Sequence, residues 1–219
     1  MFPDLTSDDI FRLETKRLWL RWPRASDAAA VRSFASLAET AQMTAEVPHP
    51  YPPGEAERFV FRARAQNADG KAMILVVTQK GDGRPVIGLS SATLSAAGGI
   101  ELGFMIAPSA WAKGYATEAA GAHVEALFAL TRADRIRANA RVNNPASRRV
   151  LEKCGFVYVG SGLDFLPARG GLHPCDRFQL TRKAWSARRT APRLPAMAHQ
   201  APDLALAHAV AMTSPAAEA

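Results

Sequence analysis

The sequence has few cysteines and no long hydrophobic segment, and each absence excludes a class of protein. Its two cysteines, Cys154 and Cys175, are too few for a disulfide framework and have no partner ligands at metal-binding spacing. No run approaches the roughly 20 apolar residues that a membrane-spanning helix needs. The first 17 residues carry acidic side chains and no apolar core of signal-peptide length. We therefore expect free thiols, no membrane span, no metal site and a cytoplasmic location.

Acidic residues are also in the minority, because 27 lysines and arginines outnumber 20 aspartates and glutamates and leave a net charge of +7. This excess is mild and spread along the chain, and no basic run forms a stripe for nucleic acid. Nucleic acid is therefore not an expected partner. The length of 219 residues and the apolar fraction of 48% favour a globular domain with a continuous core.

The composition changes near Trp185, where the chain becomes rich in alanine, proline and arginine and poor in aromatic and β-branched residues. This change predicts a domain over residues 1–184 and a low-complexity tail over residues 185–219. Within the tail, the segment DLALAHAVAM begins with an aspartate that could cap a helix. The alternatives for it are a frayed tail and a short amphipathic helix.

Hydrophobic periodicity alternates between strand and helix before the tail. The strand RLWLRW, a helix capped at Ser26 and a helix after YPPG precede three adjacent strands, AMILVVTQ, VIGLSSATL and IELGFMI. A helix to about Leu130, the strand RIRANARV, the helix NPASRRVLEKC and the strands FVYVG and RFQLTR follow. This order predicts an α/β (α+β mixed) fold with a mostly antiparallel mixed sheet of about seven strands and helices on both faces.

The stretch SAWAKGYATEAA places Gly114 where the strand IELGFMI gives way to a helix. Backbone N–H groups at such a start lack intrahelical partners and point outward together. The helix dipole and a lysine add positive charge, and small residues let phosphate oxygens approach the backbone. The alternatives are a pyrophosphate site and ordinary close packing at a helix start. The residues of the predicted anion site are Ala112, Lys113, Gly114, Tyr115, Ala116 and Thr117.

A second helix start, in NPASRRVLEKCGF, has Asn144 as its predicted N-cap and Pro145 in its first turn. Together with WAKGYATEAA, this segment resembles the GNAT superfamily of acetyl-CoA-dependent N-acetyltransferases, specifically the branch that includes the ribosomal-protein-alanine acetyltransferases. The resemblance runs from ETKRLWLR to FQLTRKAW, over roughly residues 13–185, and does not include the tail.

The resemblance implies where acetyl-CoA, the expected co-substrate, would lie. The family holds the pyrophosphate on the loop that reads Trp111–Ala116 here. Trp111 departs from the family's usual Gln or Arg, although a tryptophan at this position resembles the usual choice of this branch. The pantetheine arm lies where the strand Glu101–Ile106 splays from the strand Ile136–Val142, the family's fourth and fifth strands. In the family, the asparagine at the position of Asn144 contacts this arm with its side chain. The arm pairs, as an added strand would, with backbone groups of Phe104, Met105 and Ile106.

The resemblance also implies acetyl transfer to a primary amine, either a protein N-terminus or a small amine, and this amine must first lose a proton. Glu101 is the candidate base, and the alternative is an outward-facing strand carboxylate. A backbone N–H near Met105 would stabilise the oxyanion. Many relatives use a tyrosine to protonate the leaving thiolate, at the position of Leu151 here. Ser147 is the candidate in its place, and the alternative is a helix hydroxyl that bonds the backbone or the cofactor.

Two other functions are weighed against the enzyme. A GNAT-like module that binds CoA, or docks to RNA or the ribosome, without turnover stays open because the tyrosine is missing. A Rossmann-type nucleotide binder is disfavoured, since the glycine loop follows an antiparallel meander and no G-x-G-x-x-G opens the first unit. We expect the acceptor to be chosen by loops over Ala45–Pro53 and Asp164–Asp176. The oligomeric state is open, with a homodimer among the alternatives.

Overall fold

The computed structural model describes residues 11–95 and 99–190. This part of the chain forms eight strands in one sheet, in the order β1-β2-β3-β4-β5-β6-β8-β7, together with six α-helices. The strands are β1 Arg12–Glu14, β2 Leu18–Arg21, β3 Ala72–Gln79, β4 Val86–Leu94, β5 Ile100–Ile106, β6 Arg135–Arg141, β7 Val157–Leu166 and β8 Gly171–Thr181. The helices are α1 Ala28–Ala35, α2 Ala38–Ala41, α3 Glu55–Ala68, α4 Tyr115–Leu130, α5 Pro145–Cys154 and α6 Arg182–Thr190.

The pairing of β5 with β6 is parallel, while every other neighbouring pair in the sheet is antiparallel. The β5–β6 ladder contains two residue pairs, Ile100 with Ile136 and Glu101 with Arg137. Beyond Glu101, β5 continues to Ile106 in register with β4 alone. The sheet is therefore open between β5 and β6, which confirms the predicted mixed, mostly antiparallel fold with its splay. The eighth strand is β1, whose three residues are too few to give a periodic signal.

Helices cover both faces of the sheet, as predicted, because alternate residues of the central strands point to opposite sides. On one face Leu75 and Val77 of β3 join a buried cluster with Leu127 of α4 and Leu151 of α5. On the other face Val76 of β3 belongs to a cluster that includes residues of α1 and α3. Between these two layers, β5 pairs with β4 along its whole length but with β6 only at Ile100 and Glu101.

The prediction that Ser26 caps the first helix is wrong. Residues Ala25–Asp27 form a 3-10 turn, and α1 begins at Ala28. The carboxylate of Asp27 accepts a hydrogen bond from the backbone N–H of Arg24 at 2.7 Å and two from the guanidinium of Arg21 at 2.8 Å. These charge-assisted bonds make Asp27, rather than the serine hydroxyl, the residue that fixes this helix start.

The segment Asp164–Asp176 is a strand hairpin and not the loop that the sequence predicted. Strand β7 extends to Leu166, β8 begins at Gly171, and Pro167–Arg169 form a 3-10 turn between them. Three apolar side chains of this β7–β8 hairpin are largely exposed, with 60% for Leu163, 66% for Phe165 and 62% for Leu172, whereas Leu166 and Cys175 are buried. Backbone pairing, and not burial of one face, defines these strands, so hydrophobic alternation gave no signal.

Helix α6 contains the first residues of the predicted tail. Trp185 stacks on Phe128 with ring centroids 5.0 Å apart, and its Nε1 donates a hydrogen bond to Glu125 Oε1 at 2.9 Å. The remainder of that tail, including DLALAHAVAM, lies outside the described residues. Within residues 11–95 and 99–190, no helix is both long and apolar enough to cross a lipid bilayer.

Candidate active site

The segment between β5 and α4 forms an exposed loop that leads into the helix start. Ala112 and Gly114 both adopt left-handed backbone conformations, with φ of 59° and 78°. Gly114 is the N-cap of α4, and no side chain caps the first turn. Trp111 to Gly114 are exposed. A left-handed turn next to an uncapped helix start presents a concave set of N–H donors, and such a set fits a phosphate group.

The side chains of this loop already have partners within the protein. The ammonium of Lys113 donates to the carbonyl of Ser109 at 2.9 Å. The hydroxyl of Tyr115 accepts a hydrogen bond from Gln79 Nε2 at 2.7 Å. Ala116 and Thr117 are half-buried in the first turn of α4. The uncapped backbone amides are therefore available to an anion, and the exposed ammonium of Lys113 keeps two further N–H donors.

Two charged residues that the sequence analysis does not name also lie at this loop. Arg17, just before β2, donates from Nε to Glu118 Oε2 at 2.6 Å and from Nη1 to the carbonyl of Lys113 at 2.9 Å. Thr15 donates from its hydroxyl to Glu118 Oε1 at 2.6 Å. Burial alone would raise the pKa of Glu118, but the bonds from Thr15 and Arg17 outweigh it, and the pKa is lowered. Sequence spacing gives no hint of this cluster, since its two halves are about a hundred residues apart.

The backbone of β5 divides its hydrogen-bonding groups between β4 and the opening. The N–H of Ala107 donates to the carbonyl of Ile87 on the β4 side at 2.8 Å. Because successive residues of a strand point their backbone groups to opposite sides, Met105 faces β4, whereas Phe104 and Ile106 face the opening. The carbonyl of Ile106 accepts a hydrogen bond from Trp111 Nε1 at 2.6 Å. Near Met105, the N–H donors on the open side are therefore those of its two neighbours.

Helix α5 begins as the sequence predicts. Asn144 is its N-cap, and its Oδ1 accepts a hydrogen bond from the backbone N–H of Ser147 at 3.0 Å. The half-buried Ser147 hydroxyl makes no hydrogen bond with the residues that the structure describes. Leu151 is fully buried in the core.

The end of α5, and not its start, contacts the start of α4. The thiol of Cys154 donates to the carbonyl of Thr117 at 3.7 Å, and burial raises the pKa of this thiol to about 11. Both cysteines are free, as predicted. Ser147 precedes Cys154 by seven residues, which is about 10 Å along a helix. Ser147 therefore lies away from the loop before α4, toward the end of β6.

Glu101 is half-buried at the last paired position before β5 and β6 separate. Burial raises the pKa of its carboxyl, the negative charges of Asp164 and Glu46 raise it further, and Arg137 opposes them. A carboxyl with this shift is a stronger base than an exposed glutamate. A raised pKa at the edge of an opening is also a typical property of a catalytic group.

The two segments predicted to select the acceptor touch each other beside Glu101. The N–H of Ala168 donates to the carbonyl of Ala45 at 3.0 Å, and the guanidinium of Arg169 donates to the carbonyl of Val47. Arg141 of β6 donates to the carbonyl of Gln42 at 2.5 Å. The part of the chain before α3 is thereby tied to the β7–β8 turn.

His123 is fully buried on α4. Its Nδ1 is hydrogen-bonded to Ser90 Oγ at 2.7 Å, and burial lowers its pKa to about 3. It is therefore a neutral core residue away from solvent. Among the described residues, no group of three His, Cys, Asp or Glu side chains is arranged to hold a metal ion.

Comparison with known proteins assigns a class and then a family. Residues 17–157, more than half of the chain, match the family model described as the acetyltransferase (GNAT) domain. The chain is therefore an acetyl-CoA-dependent acyltransferase. It belongs to the GNAT family, which confirms the resemblance seen in its two helix-start motifs. No curated protein sequence matches it significantly.

Solved structures share the fold at low sequence identity. A GNAT-family acetyltransferase from Bacillus anthracis is 23% identical, with a TM-score of 0.67 over 79% of this chain and 99% of that protein. The ribosomal-protein-S5-alanine acetyltransferase from Vibrio fischeri is 19% identical, with a TM-score of 0.68 over 80% and 98%. The spermidine N-acetyltransferase from Vibrio cholerae, solved with CoA and spermine, is 18% identical, with a TM-score of 0.66 over 78% and 99%. The Vibrio fischeri protein is from the branch that the motifs resemble.

Proposed function

We propose that this acyltransferase moves the acetyl group of acetyl-CoA to a primary amine by direct attack of the amine. The acceptor is a protein N-terminus or a small amine. The observation that carries this proposal is Glu101, a half-buried carboxyl with a raised pKa at the point where the sheet opens.

The residues around the opening fit the expected co-substrate. The backbone amides of Ala112 to Thr117 would hold the pyrophosphate, because the loop is exposed, left-handed at two positions and uncapped. Phe104, Ile106 and Asn144 would contact the pantetheine arm along the free side of β5 and the start of α5. When bound, acetyl-CoA supplies an acetyl group activated as a thioester.

Glu101 would take the proton that the amine must lose. An alkylamine with a pKa of roughly 10.4 is protonated at neutral pH and cannot attack a carbonyl carbon. Asp164 and Glu46 raise the pKa of Glu101, and the same negative charges favour an incoming ammonium group. Proton transfer to Glu101, directly or through water, would produce the neutral nucleophile.

The Ser147 hydroxyl would pass a proton to the leaving sulfur and take up a replacement proton from solvent. Its hydroxyl has no hydrogen-bond partner among the described residues, whereas Leu151 is buried and has no proton to give. A thiol with a pKa of roughly 8.5 leaves readily as the thiolate, which needs only a weak acid to protonate it.

The assignment of an amine acceptor draws on the names of two structural neighbours, a spermidine N-acetyltransferase and a ribosomal-protein-alanine acetyltransferase.

The proposal is tested by release of free CoA thiol from acetyl-CoA in the presence of an amine panel. The panel contains polyamines and peptides with free N-termini, and the same peptides with blocked N-termini serve as controls. We expect thiol release with at least one free amine and none with its blocked form. If CoA raises the melting temperature but no amine supports thiol release, the chain is a CoA-binding module and the proposal is wrong.

A further inference from the structure

A carboxylate lies in the first turn of the helix whose start is proposed to bind the pyrophosphate. Glu118 belongs to this turn and is mostly buried, with 17% of its side chain exposed. An uncompensated negative charge here would repel the phosphates that the amides attract. The site therefore needs a positive charge that cancels Glu118 without blocking the loop.

Arg17, about a hundred residues before Glu118 in the sequence, supplies this positive charge. Its Nε is 2.6 Å from Glu118 Oε2, and its guanidinium lies over the ring of Tyr115, 4.5 Å from the centroid. The same side chain donates to the carbonyl of Lys113, which lies between the two left-handed residues of the loop. Its Nη2 would be 3.4 Å from a Cβ built on Gly114. One side chain thus neutralises the carboxylate and holds the loop.

We propose that Arg17 is a positioning residue for the cofactor, which fixes the pyrophosphate loop and cancels the charge of Glu118. This inference rests on the proposed assignment of the loop to the pyrophosphate. Substitution of Arg17 leaves Glu118 in place, because the Thr15 hydroxyl and the backbone N–H of residue 17 still donate to it, at 2.6 and 2.8 Å. Arg17→Ala therefore removes the compensation and keeps the repulsive charge.

The first test compares two acetyl donors, acetyl-CoA and S-acetyl-pantetheine, which lacks the pyrophosphate. We expect Arg17→Ala to raise the KM for acetyl-CoA about tenfold or more, the scale of a lost charge-assisted contact. The KM for S-acetyl-pantetheine should stay within about twofold of wild type, since no pyrophosphate is involved. The matched control is Arg62→Ala, which removes an ion pair with Glu55. The exposed side-chain fractions of this pair, 55% for the arginine and 19% for the glutamate, are close to those of Arg17 and Glu118, 43% and 17%. Equal changes with both donors would overturn the proposal, because a general structural defect affects both.

The second test restores neutrality. We expect the double variant, Arg17→Ala with Glu118→Gln, to have a KM for acetyl-CoA at least about threefold lower than that of Arg17→Ala alone, since no unpaired carboxylate then faces the phosphates. If Arg17→Ala does not fold, Arg17→Lys, which keeps the charge but not the two-directional fork of donors, should raise the KM for acetyl-CoA about threefold above that of wild type. A double variant no better than Arg17→Ala, or an Arg17→Lys variant with unchanged KM, would overturn the inference.

Calorimetry with CoA separates this inference from the assignment on which it rests. If Gly114→Ala, in a folded protein, leaves CoA affinity unchanged, the loop is not the pyrophosphate site and the assignment fails. If Gly114→Ala weakens CoA binding while Arg17→Ala does not, the loop assignment survives and the role of Arg17 is wrong.

Discussion

The indole N–H of Trp111 donates to the carbonyl of Ile106 across 2.6 Å, and this bond ties the start of the loop before α4 to the end of β5. Trp111 occupies the position at which the sequence resemblance leads us to expect Gln or Arg. The bond uses a backbone acceptor on the open side of the strand. The tryptophan therefore shapes the loop through its N–H group, although much of its ring is exposed.

Trp111→Phe keeps an aromatic ring, although a smaller one than indole, and removes this bond. We expect a loss of about 1 kcal/mol in the free energy of unfolding and a several-fold rise in the KM for acetyl-CoA. Denaturant unfolding and initial-rate kinetics measure the two effects. Trp185→Phe is the control, since it breaks an indole bond to Glu125 at 2.9 Å without touching the loop. A similar rise in KM for both variants would contradict the role of Trp111.

Gly114→Ala should weaken CoA binding. The new side chain would sit at a left-handed φ of 78° and lie 3.4 Å from Arg17, at a strain of roughly 1 kcal/mol or more. Gly121→Ala is the matched control on the same helix, because nothing lies within 4 Å of the added carbon. It should keep CoA affinity and stabilise α4 by about 0.5–1 kcal/mol. Calorimetry with CoA and thermal melts of both variants provide the comparison.

We expect Glu101→Gln to lower activity and to raise the melting temperature at pH 7. Loss of the base is expected to lower kcat/KM about a hundredfold or more. The folded pKa of Glu101 is raised above its ordinary 4.5, so ionisation is disfavoured in the folded state. Its contribution to stability is fully present below pH 4.5 and is lost as the pH rises through the folded pKa. The variant should therefore melt higher than wild type at pH 7 and equally at pH 4, and melts across this range check the sign.

His123 should make the fold sensitive to acid. Its pKa falls from about 6.5 to about 3 on folding, because the buried ring stays neutral. Stability from this group is complete above pH 6.5 and is lost as the pH falls toward 3, by about 1.4 kcal/mol per pH unit. His123→Gln cannot bind this proton, so the difference in free energy of unfolding between the two proteins should change with that slope. A pH-independent difference would show that the ring is not the titrating group.

Ser147→Ala should lower kcat without changing the melting temperature, because the hydroxyl makes no bond with described residues. A roughly tenfold fall is expected for a weak acid that protonates a thiolate. The neighbouring variant Asn144→Ala removes the cap of α5 and should cost about 1 kcal/mol of stability. An unchanged kcat for Ser147→Ala would leave its hydroxyl without a catalytic role.

The central strands and the two helix starts were predictable because their signals are local. Strands β3, β4 and β5 have the predicted bounds, since their hydrophobic runs end at clear turns. The caps at Gly114 and Asn144 follow from residue types that suit those backbone positions.

Features that depend on distant parts of the chain were not predictable from periodicity. The pairing of Arg17 with Glu118 joins positions about a hundred residues apart, and no spacing rule relates them. The hairpin that carries Leu163, Phe165 and Leu172 was predicted as a loop because its apolar residues face solvent. The raised pKa of Glu101 likewise depends first on burial and then on Asp164 and Glu46, and only the folded chain produces these surroundings.

The hydrogen bonds from Ala168 and Arg169 to the carbonyls of Ala45 and Val47 join two segments that are more than a hundred residues apart in the sequence. Exchanging either piece alone for that of a relative would leave backbone acceptors without their donors. Engineering of acceptor preference in this protein should therefore transplant both segments together, as one unit.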